Sequence, residues 1–324
     1  MKLGLIGLGR MGGNMAMKLV EDGHALVVWS RSKGTVDKFR EEIKNQKSKI
    51  KDIDQKLKIA SSLEDLVKSL EKPRVVWSMV LVGEPTDQIL SELEKYVEKD
   101  DIIIEGSNAN WKDTQRRYDH FIKKGIRYLG TGVSGGVHGP KLGYALMAGG
   151  NKSAYDYVKP VFDTLVKPTA SHGYFGSGGA GHFVKMIHNG IEYAYMQAIG
   201  EGFDVLEHSP YKFDLLKIAK LWQKCSLISG FMMDRAVEAI EKDPHMDTIT
   251  GVVDATGEAQ WTVDTAKELG IPVEIIEHSL DYRKRSKTDK KIQNSYTAKM
   301  VAALRHAFGA HAVRQAQGKA VKKK

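Results

Sequence analysis

Hydrophobic positions in the first half of the chain fall in short, evenly spaced runs, at residues 2–6, 25–29, 74–79, 101–104 and 126–129. Between them, apolar residues recur at helical spacing over residues 11–21, 62–70, 86–96 and 111–123. Short apolar runs alternating with helical stretches predict βαβ units and a largely parallel sheet. Residues 40–58 are heavily charged and poorly periodic, and read as an exposed insertion or a helix extension. After about Gly176 the pattern changes. Strand-like runs nearly vanish, and helical spacings follow at residues 181–207, 215–220, 226–241, 258–269, 273–282 and 288–308. The stretch YFGSGGAG, residues 174–181, reads as a hinge. The expectation is an α/β domain over residues 1–176, followed by an all-α helical domain over residues 177–324.

One helical stretch, HFVKMIHNGIEYA (residues 182–194), is apolar enough to be buried yet carries four polar groups. Lys185, His188, Asn189 and Glu192 stand at i, i+3, i+4 and i+7, so they share one helix face. A solvent-facing stripe is one reading. A ligand-facing stripe is favoured, because the stripe is narrow and chemically mixed and because GSGGAG precedes it, where small residues would let a large flat ligand approach.

Composition narrows the class. The chain has 324 residues, with 42% hydrophobic and 27% charged, an ordinary soluble balance. It contains no apolar run of membrane-spanning length. It enters its first strand without signal-peptide features. Cys225 is the only cysteine, so no intrachain disulfide can form, and a cytoplasmic location is expected. The net charge is +9, to which the terminal KAVKKK adds four positive charges. Basic residues interleaved with aromatics would mark a nucleic-acid binder. Here the one dense basic run is RKRSKTDKK, residues 283–291, read either as a solvated segment or as an anion site. Neither nucleic acid nor membrane is expected as a partner.

The motif GLIGLGRMGGNM places Gly7, Gly9 and Gly12 as G-x-G-x-x-G directly after a strand and at the start of a helix. Such glycines allow a tight turn and close approach to a pyrophosphate, and the helix N-terminus offers free N–H donors. This predicts a Rossmann-type dinucleotide site, the alternative being glycines used only for packing. At the end of the second strand, VVWSRSK has no acid to accept from ribose hydroxyls. Ser30, Arg31, Ser32 and Lys33 offer donors and positive charge instead, suiting the 2′-phosphate of NADP better than NAD. In GTGVSGGVHGPKLG, Ser134, Gly135 and Gly136 suit a carboxylate, or form only a flexible loop. In IIIEGSN, Asn108 falls just past a strand's carboxyl end, where ligands of open parallel sheets bind.

These blocks, with RVVWSMVLVGEPT, GAGHFVKMIHNGIEYA and the late LRHAFGAH, resemble 6-phosphogluconate dehydrogenase (decarboxylating) of the β-hydroxyacid dehydrogenase superfamily. The resemblance runs nearly end to end and fits the short form, with one set of helices. It implies oxidative decarboxylation of 6-phospho-D-gluconate to D-ribulose 5-phosphate, with NADP or NAD reduced. Lys185 would be the general base and Glu192 the general acid. Asn108, Ser134, Gly135, Gly136, His188 and Asn189 would hold the carboxylate and hydroxyls. Tyr193, Thr256, Arg283, Arg305 and His311 would surround the phosphate. Gly7, Leu8, Gly9, Met11, Gly12, Ser30, Arg31, Ser32, Val80 and Asn108 would line the cofactor. The family's C-terminal pair reaches a neighbouring subunit, implying a homodimer or homotetramer. Two departures stand out. Ser107 replaces a second glycine common in the family, and DATGEAQWT lacks a lysine found near the phosphate in longer members.

The chemistry accounts for such groups. A lysine takes a hydroxyl proton only when neutral, so an ordinary pKa of about 10.4 must fall by roughly 3 units near pH 7, a cost of about 4 kcal/mol. Burial, a nearby nicotinamide cation and His188 would supply it. Once protonated, the ammonium can stabilise the enolate left by CO2, and Glu192 can protonate its carbon. Metal-dependent decarboxylases use carboxylate clusters, and the sequence suggests none, so a metal-independent route is expected. The alternative is a dehydrogenase of a small unphosphorylated acid such as 3-hydroxyisobutyrate, which needs neither Glu192 nor a phosphate clamp.

Overall fold

The computed structural model describes residues 1–46, 50 and 52–309. Its strands are β1 (Lys2–Ile6), β2 (Ala25–Trp29), β3 (Leu57–Ile59), β4 (Val75–Ser78), β5 (Ile102–Glu105), β6 (Arg127–Ser134), β7 (Ala145–Gly150) and β8 (His172–Tyr174). The helices are α1 (Arg10–Glu21), α2 (Lys33–Gln46), α3 (Ile53–Lys56), α4 (Leu63–Lys68), α5 (Glu84–Leu93), α6 (Trp111–Lys123), α7 (Gly139–Leu142), α8 (Lys152–Leu165) and α9 (Ala180–Glu207). They continue with α10 (Leu215–Trp222), α11 (Phe231–Lys242), α12 (Glu258–Glu268), α13 (Glu274–Ser286), α14 (Lys290–Asn294) and α15 (Tyr296–Ala307). Among the described residues, no helix is long and apolar enough to cross a membrane.

All strands join one sheet in the order β3-β2-β1-β4-β5-β6-β7-β8. Pairing is parallel except between β6 and β7. The strand order reverses between β1 and β4, which opens a crevice at their carboxyl ends. Helices cover both faces, so the strands are apolar on both sides. Leu3, Leu5, Trp77, Ile102 and Ile104 pack with Met15, Leu19 and Phe162 on one face. Ile6, Val27, Val76 and Ile103 pack with Leu66, Ile89, Leu93 and Phe121 on the other.

Some elements differ from the sequence reading. Residues 40–58 are in part the expected helix extension, since α2 runs to Gln46, and in part structured beyond it: Ile50 and Ile53 are buried and β3 pairs with β2. β7, α8 and β8 carried no clear pattern, since β7 is Ala/Gly-rich, α8 holds Pro160 and β8 is three residues long. The expected helix over residues 288–308 is broken at Ser295, whose extended backbone ends α14 and whose hydroxyl accepts from Ala298 N to start α15.

The chain forms two compact units, Met1–His188 and Asn189–Lys324. In the second, Tyr193, Met196, Ile199 and Phe203 of α9 share a core with Leu215, Met233, Ile240, Val301 and Leu304. The stretch 174–181 read as a hinge falls within the first unit. A Cβ on Gly178 would meet Gln115 Oε1 at 1.8 Å, and one on Gly179 would meet Trp111 O at 2.3 Å.

The first turn of α9 sits on bare strand backbone. A Cβ on Gly181 would lie 2.4 Å from both Gly130 O and Met147 O and 2.5 Å from Gly149 N. Backbone cannot yield as a flexible side chain can, so Gly181→Ala is expected to destabilise by about 1–3 kcal/mol through overpacking. Gly202, in the same helix, faces open space. Gly202→Ala should instead stabilise by about 0.4–1 kcal/mol by restricting the unfolded chain. Urea unfolding of both variants checks the contrast.

Candidate active site

The glycine motif builds a cradle at the switch point. Gly7 ends β1 with φ +93°, and a Cβ there would lie 2.5 Å from Met79 O. Gly7 N donates to Trp29 O at 2.8 Å, joining the loop to the end of β2. A Cβ on Gly12 would meet Gly7 O at 1.9 Å, so only glycine allows this helix–loop approach. Gly9 caps α1 and has nothing within 4 Å of its Cβ position. The first turn of α1 holds no acid. Open space before a helix N-terminus with no competing carboxylate fits a dinucleotide pyrophosphate.

Leu8 is buried, while Met11 and Val80 are partly buried at the edge of the cores. Ser30 is half-buried, and Arg31 and Ser32 are exposed just beyond β2. The Arg31 guanidinium donates to Gln88 Oε1 at 3.2 Å. The Ser32 hydroxyl accepts from Thr35 N at 3.4 Å at the start of α2.

A second group gathers at the carboxyl ends of β5 and β6. Asn108 has φ +53°, a left-handed conformation that asparagine tolerates better than most residues. Its side chain pairs with the backbone of Val133, accepting from N at 2.8 Å and donating to O at 3.1 Å. That fixes it beside Ser134. Gly135 (φ +123°) and Gly136 (φ +52°) make the turn that follows. Ser134 Oγ lies 3.4 Å from His188 Nε2, and His188 Nδ1 lies 3.4 Å from Lys185 Nζ. Lys185 itself is placed by Gly132, where a Cβ would come within 2.4 Å of Lys185 Cβ. A hydroxyl, an imidazole and an amine thus form one linked series, which can bind oxygen atoms and relay a proton.

The third group belongs to the helical unit. Arg283 is 1% exposed and stacks on the Tyr193 ring, 3.3 Å from its centroid. It also donates to Asp254 O at 3.4 Å. Burial lowers its pKa to about 10, with the Tyr193 and Glu192 charges opposing and the Arg305 charge assisting. Arg305 is buried as well. The Tyr193 hydroxyl accepts from Thr256 N at 3.0 Å and lies 3.3 Å from Thr256 Oγ1, though Thr256 is exposed. Two buried guanidiniums of like charge favour an anion between or beside them. His311 lies outside the described residues.

The four-residue stripe is not a solvent face. Lys185 is 5% and Asn189 8% exposed, whereas apolar Ile191 is 58% exposed. His188 and Glu192 are half-buried. Among the glycines before the stripe, Gly178, Gly179 and Gly181 are in close contact with protein atoms, whereas Gly176 is more open. Sequence reasoning passed over His182, buried one turn before Lys185, and Glu105 and Arg117, buried near Asn108. A glutamate closing an isoleucine run was the available signal.

A sheet in this order, with a glycine cradle at its switch point and a buried lysine near the end of β6, is the plan of a nicotinamide-dependent dehydrogenase. Comparison with known proteins narrows the class. Residues 2–175 match the NAD binding domain of 6-phosphogluconate dehydrogenase, and residues 181–297 match that enzyme's C-terminal domain. The YqeC protein of Bacillus subtilis (strain 168), provisionally named a 6-phosphogluconate dehydrogenase, is 39% identical over 96% of this chain and 99% of its own. The NAD(+)-dependent decarboxylating 6-phosphogluconate dehydrogenase of Haloferax volcanii is 34% identical over 97% and 98%. Among solved structures, Plasmodium falciparum 6-phosphogluconate dehydrogenase aligns with TM-score 0.77 at 28% identity, covering 94% of this chain and 70% of that one. The chain belongs to the 6-phosphogluconate dehydrogenase family.

Proposed function

We propose that this protein oxidises and decarboxylates 6-phospho-D-gluconate to D-ribulose 5-phosphate and CO2 in the pentose phosphate pathway, with NADP preferred over NAD and no metal required. The observation that carries this reading is Lys185. It is a buried amine set against β6, linked through His188 to Ser134 beside Asn108. When bound, the dinucleotide supplies the oxidant for the secondary alcohol. Lys185, in its neutral form, takes the proton of that hydroxyl. The resulting β-keto acid loses CO2, and the Lys185 ammonium donates a hydrogen bond to the developing enolate oxygen. Glu192, seven positions along the same helix, then protonates the carbon that lost CO2. Asn108, Ser134, Gly135, Gly136, His188 and Asn189 bind the carboxylate and hydroxyls. Tyr193, Thr256, Arg283 and Arg305 receive the phosphate.

The metal-free route rests on the donor set. An ammonium serves as electron sink, and among the described residues no group of three or more His, Cys, Asp or Glu is placed to hold a metal ion. The NADP preference rests on the chain's own residues, because relatives carry both cofactors: the Haloferax protein is named NAD(+)-dependent, whereas the Plasmodium structure names NADP+. No acid stands from Trp29 to Lys33, and Arg31 is exposed beside the cradle. A small unphosphorylated acid is the weaker reading, since it would bring no phosphate to the two buried guanidiniums. A homodimer or homotetramer agrees with apolar side chains left exposed on the helical unit, among them Val205, Leu221 and Ile275. A cytoplasmic location agrees with the single cysteine.

Cofactor reduction and CO2 release, measured on 6-phosphogluconate with NADP and NAD in parallel, test the reaction. Lys185→Met should lower kcat by about 10²–10⁴-fold while cofactor Kd is unchanged. Turnover near the wild-type rate would remove Lys185 from the role of base. Arg31→Ala is expected to lower kcat/KM for NADP about 10–100-fold and for NAD only slightly, as loss of a charge-assisted phosphate contact predicts. An unmutated enzyme that prefers NAD overturns the cofactor assignment. Arg305→Ala should raise KM for 6-phosphogluconate about tenfold or more and leave unphosphorylated gluconate little affected. Equal effects on both would detach Arg305 from the phosphate.

A further inference from the structure

Glu105 closes β5 after three isoleucines and is 0% exposed. A buried carboxylate is tolerated only when its oxygens are well paired. Here Oε1 accepts from Arg117 NH1 at 2.5 Å and from Ser107 Oγ at 2.8 Å. Oε2 accepts from Tyr128 OH at 2.5 Å and from Thr114 Oγ1 at 3.3 Å. Arg117, 3% exposed, also reaches Asp87 Oδ1 at 2.9 Å. Burial opposes its charge, but Glu105 and Asp87 together hold its pKa above the ordinary value.

The network has two outlets toward the proposed site. Ser107, which ties the β5 turn to Glu105, immediately precedes Asn108. Thr114 Oγ1 lies 2.7 Å from Nδ1 of His182, which is 1% exposed and one helical turn before Lys185. Burial lowers the His182 pKa, so the ring is neutral. The direction of the Thr114–His182 hydrogen bond follows the ring tautomer, and the same hydroxyl lies 3.3 Å from Glu105 Oε2 and 3.4 Å from Asn110 O. Glycines on one face of β6 make room for this alignment. A Cβ on Gly130 would strike Thr114 Cγ2 at 2.3 Å, and the next glycine on that face, Gly132, seats Lys185. A buried ion pair is often replaceable by apolar groups without loss of stability, so what this one contributes is a fixed arrangement: both oxygens of Glu105 are paired, while Arg117 Nη2 and His182 Nε2 find no hydrogen-bond partner among the described residues.

We propose that Glu105 is a positioning residue of this enzyme, holding Asn108 through Ser107 and the Lys185 turn through Thr114 and His182. The inference rests on Lys185 being the base. Glu105 touches neither substrate nor cofactor; it acts by orienting groups that do.

Glu105→Gln would remove one of the two carboxylates that pair Arg117 and disturb the fold, so the test substitutes the two outlets. Ser107→Ala, Thr114→Val, Thr114→Ser and Lys185→Met are compared by steady-state kinetics on 6-phosphogluconate, by dinucleotide titration and by thermal melting. Ser107→Ala should raise KM for the sugar acid about tenfold with kcat within about twofold, since only the Asn108 turn is loosened. Thr114→Val should lower kcat about tenfold or more with KM within about threefold, because a small misplacement of the base is costly. Thr114→Ser, restoring the hydroxyl, should recover kcat to within about threefold of wild type, and dinucleotide Kd should not change in these three variants. An inactive Lys185→Met beside Ser107→Ala and Thr114→Val variants of wild-type kcat and KM overturns this inference alone. So does Thr114→Ser that is no more active than Thr114→Val at the same melting temperature. Turnover retained by Lys185→Met overturns the base assignment and this inference with it.

Discussion

Contact between the first turn of α9 and side-chain-free stretches of β6 and β7 governs the catalytic half of the structure. Gly130, Gly132, Gly149 and Gly181 lie where any methyl group would collide with backbone, with Thr114 or with Lys185. Glycine here is a requirement of distance, and it has a conformational cost that alanine would not carry. In return, the Cβ of Lys185 is fixed against the strand that ends in Ser134, and the amine inherits the rigidity of the sheet. Asn108 is held to the same strand by two hydrogen bonds to Val133. Lys185 and Asn108 are therefore registered to one another through β6.

Charge follows a different logic in each unit. In the sheet unit, the buried carboxylate of Glu105 is matched by four donors, and the neighbouring guanidinium by two carboxylates. In the helical unit, Arg283 and Arg305 are buried and the Arg305 charge makes Arg283 harder to charge, against the opposing charge of Glu192, with a tyrosine face and a backbone carbonyl as contacts for Arg283. In the first arrangement the carboxylate is fully paired, although Arg117 Nη2 finds no acceptor among the described residues; in the second, the anion of the proposed substrate would supply the added negative charge. A phosphate is well suited, because it carries enough charge to serve two guanidiniums and geometry that accepts paired N–H donors.

Legibility in the sequence tracked how far a feature depends on residue type alone. β1, β2 and α6 were read to their end residues, because the strands are unbroken apolar runs and the helix is strongly two-sided. The glycine cradle was equally plain, since Gly7 and Gly12 serve roles closed to any other residue. β7 escaped because alanine and glycine carry no strand pattern, and its pairing is set by the neighbouring β6. The polar stripe on α9 could be placed on one face by periodicity, but its depth could not: Ile191 outside and Lys185 inside invert the usual rule. The glycines preceding the stripe were legible as a place of close approach, while their contacts with α6 and with the backbone of β6 and β7 were not. The Glu105 network was hidden for the same reason, since its partners are spread from Asp87 to His182 and meet only in the folded chain.

Cofactor choice shows why even a clear motif leaves part of the chemistry to the fold. Arg31 follows β2, where the sequence alone puts a cation near an adenosine ribose. Its guanidinium is engaged by Gln88 Oε1 on α5, and the Gln88 amide in turn donates to Glu84 Oε1 at 2.9 Å. A neutral amide oxygen is a weak partner for a guanidinium and an easily exchanged one, whereas a phosphate offers charge-assisted bonds about twice as strong. The interaction with Gln88 therefore holds Arg31 extended at the mouth of the cradle without neutralising it. A carboxylate in place of that amide would hold the same geometry and cancel the charge. On the proposed NADP preference, discrimination between the two dinucleotides would depend on α5 as much as on the residues after β2, and the absence of an acid from Trp29 to Lys33 would be only half of the condition.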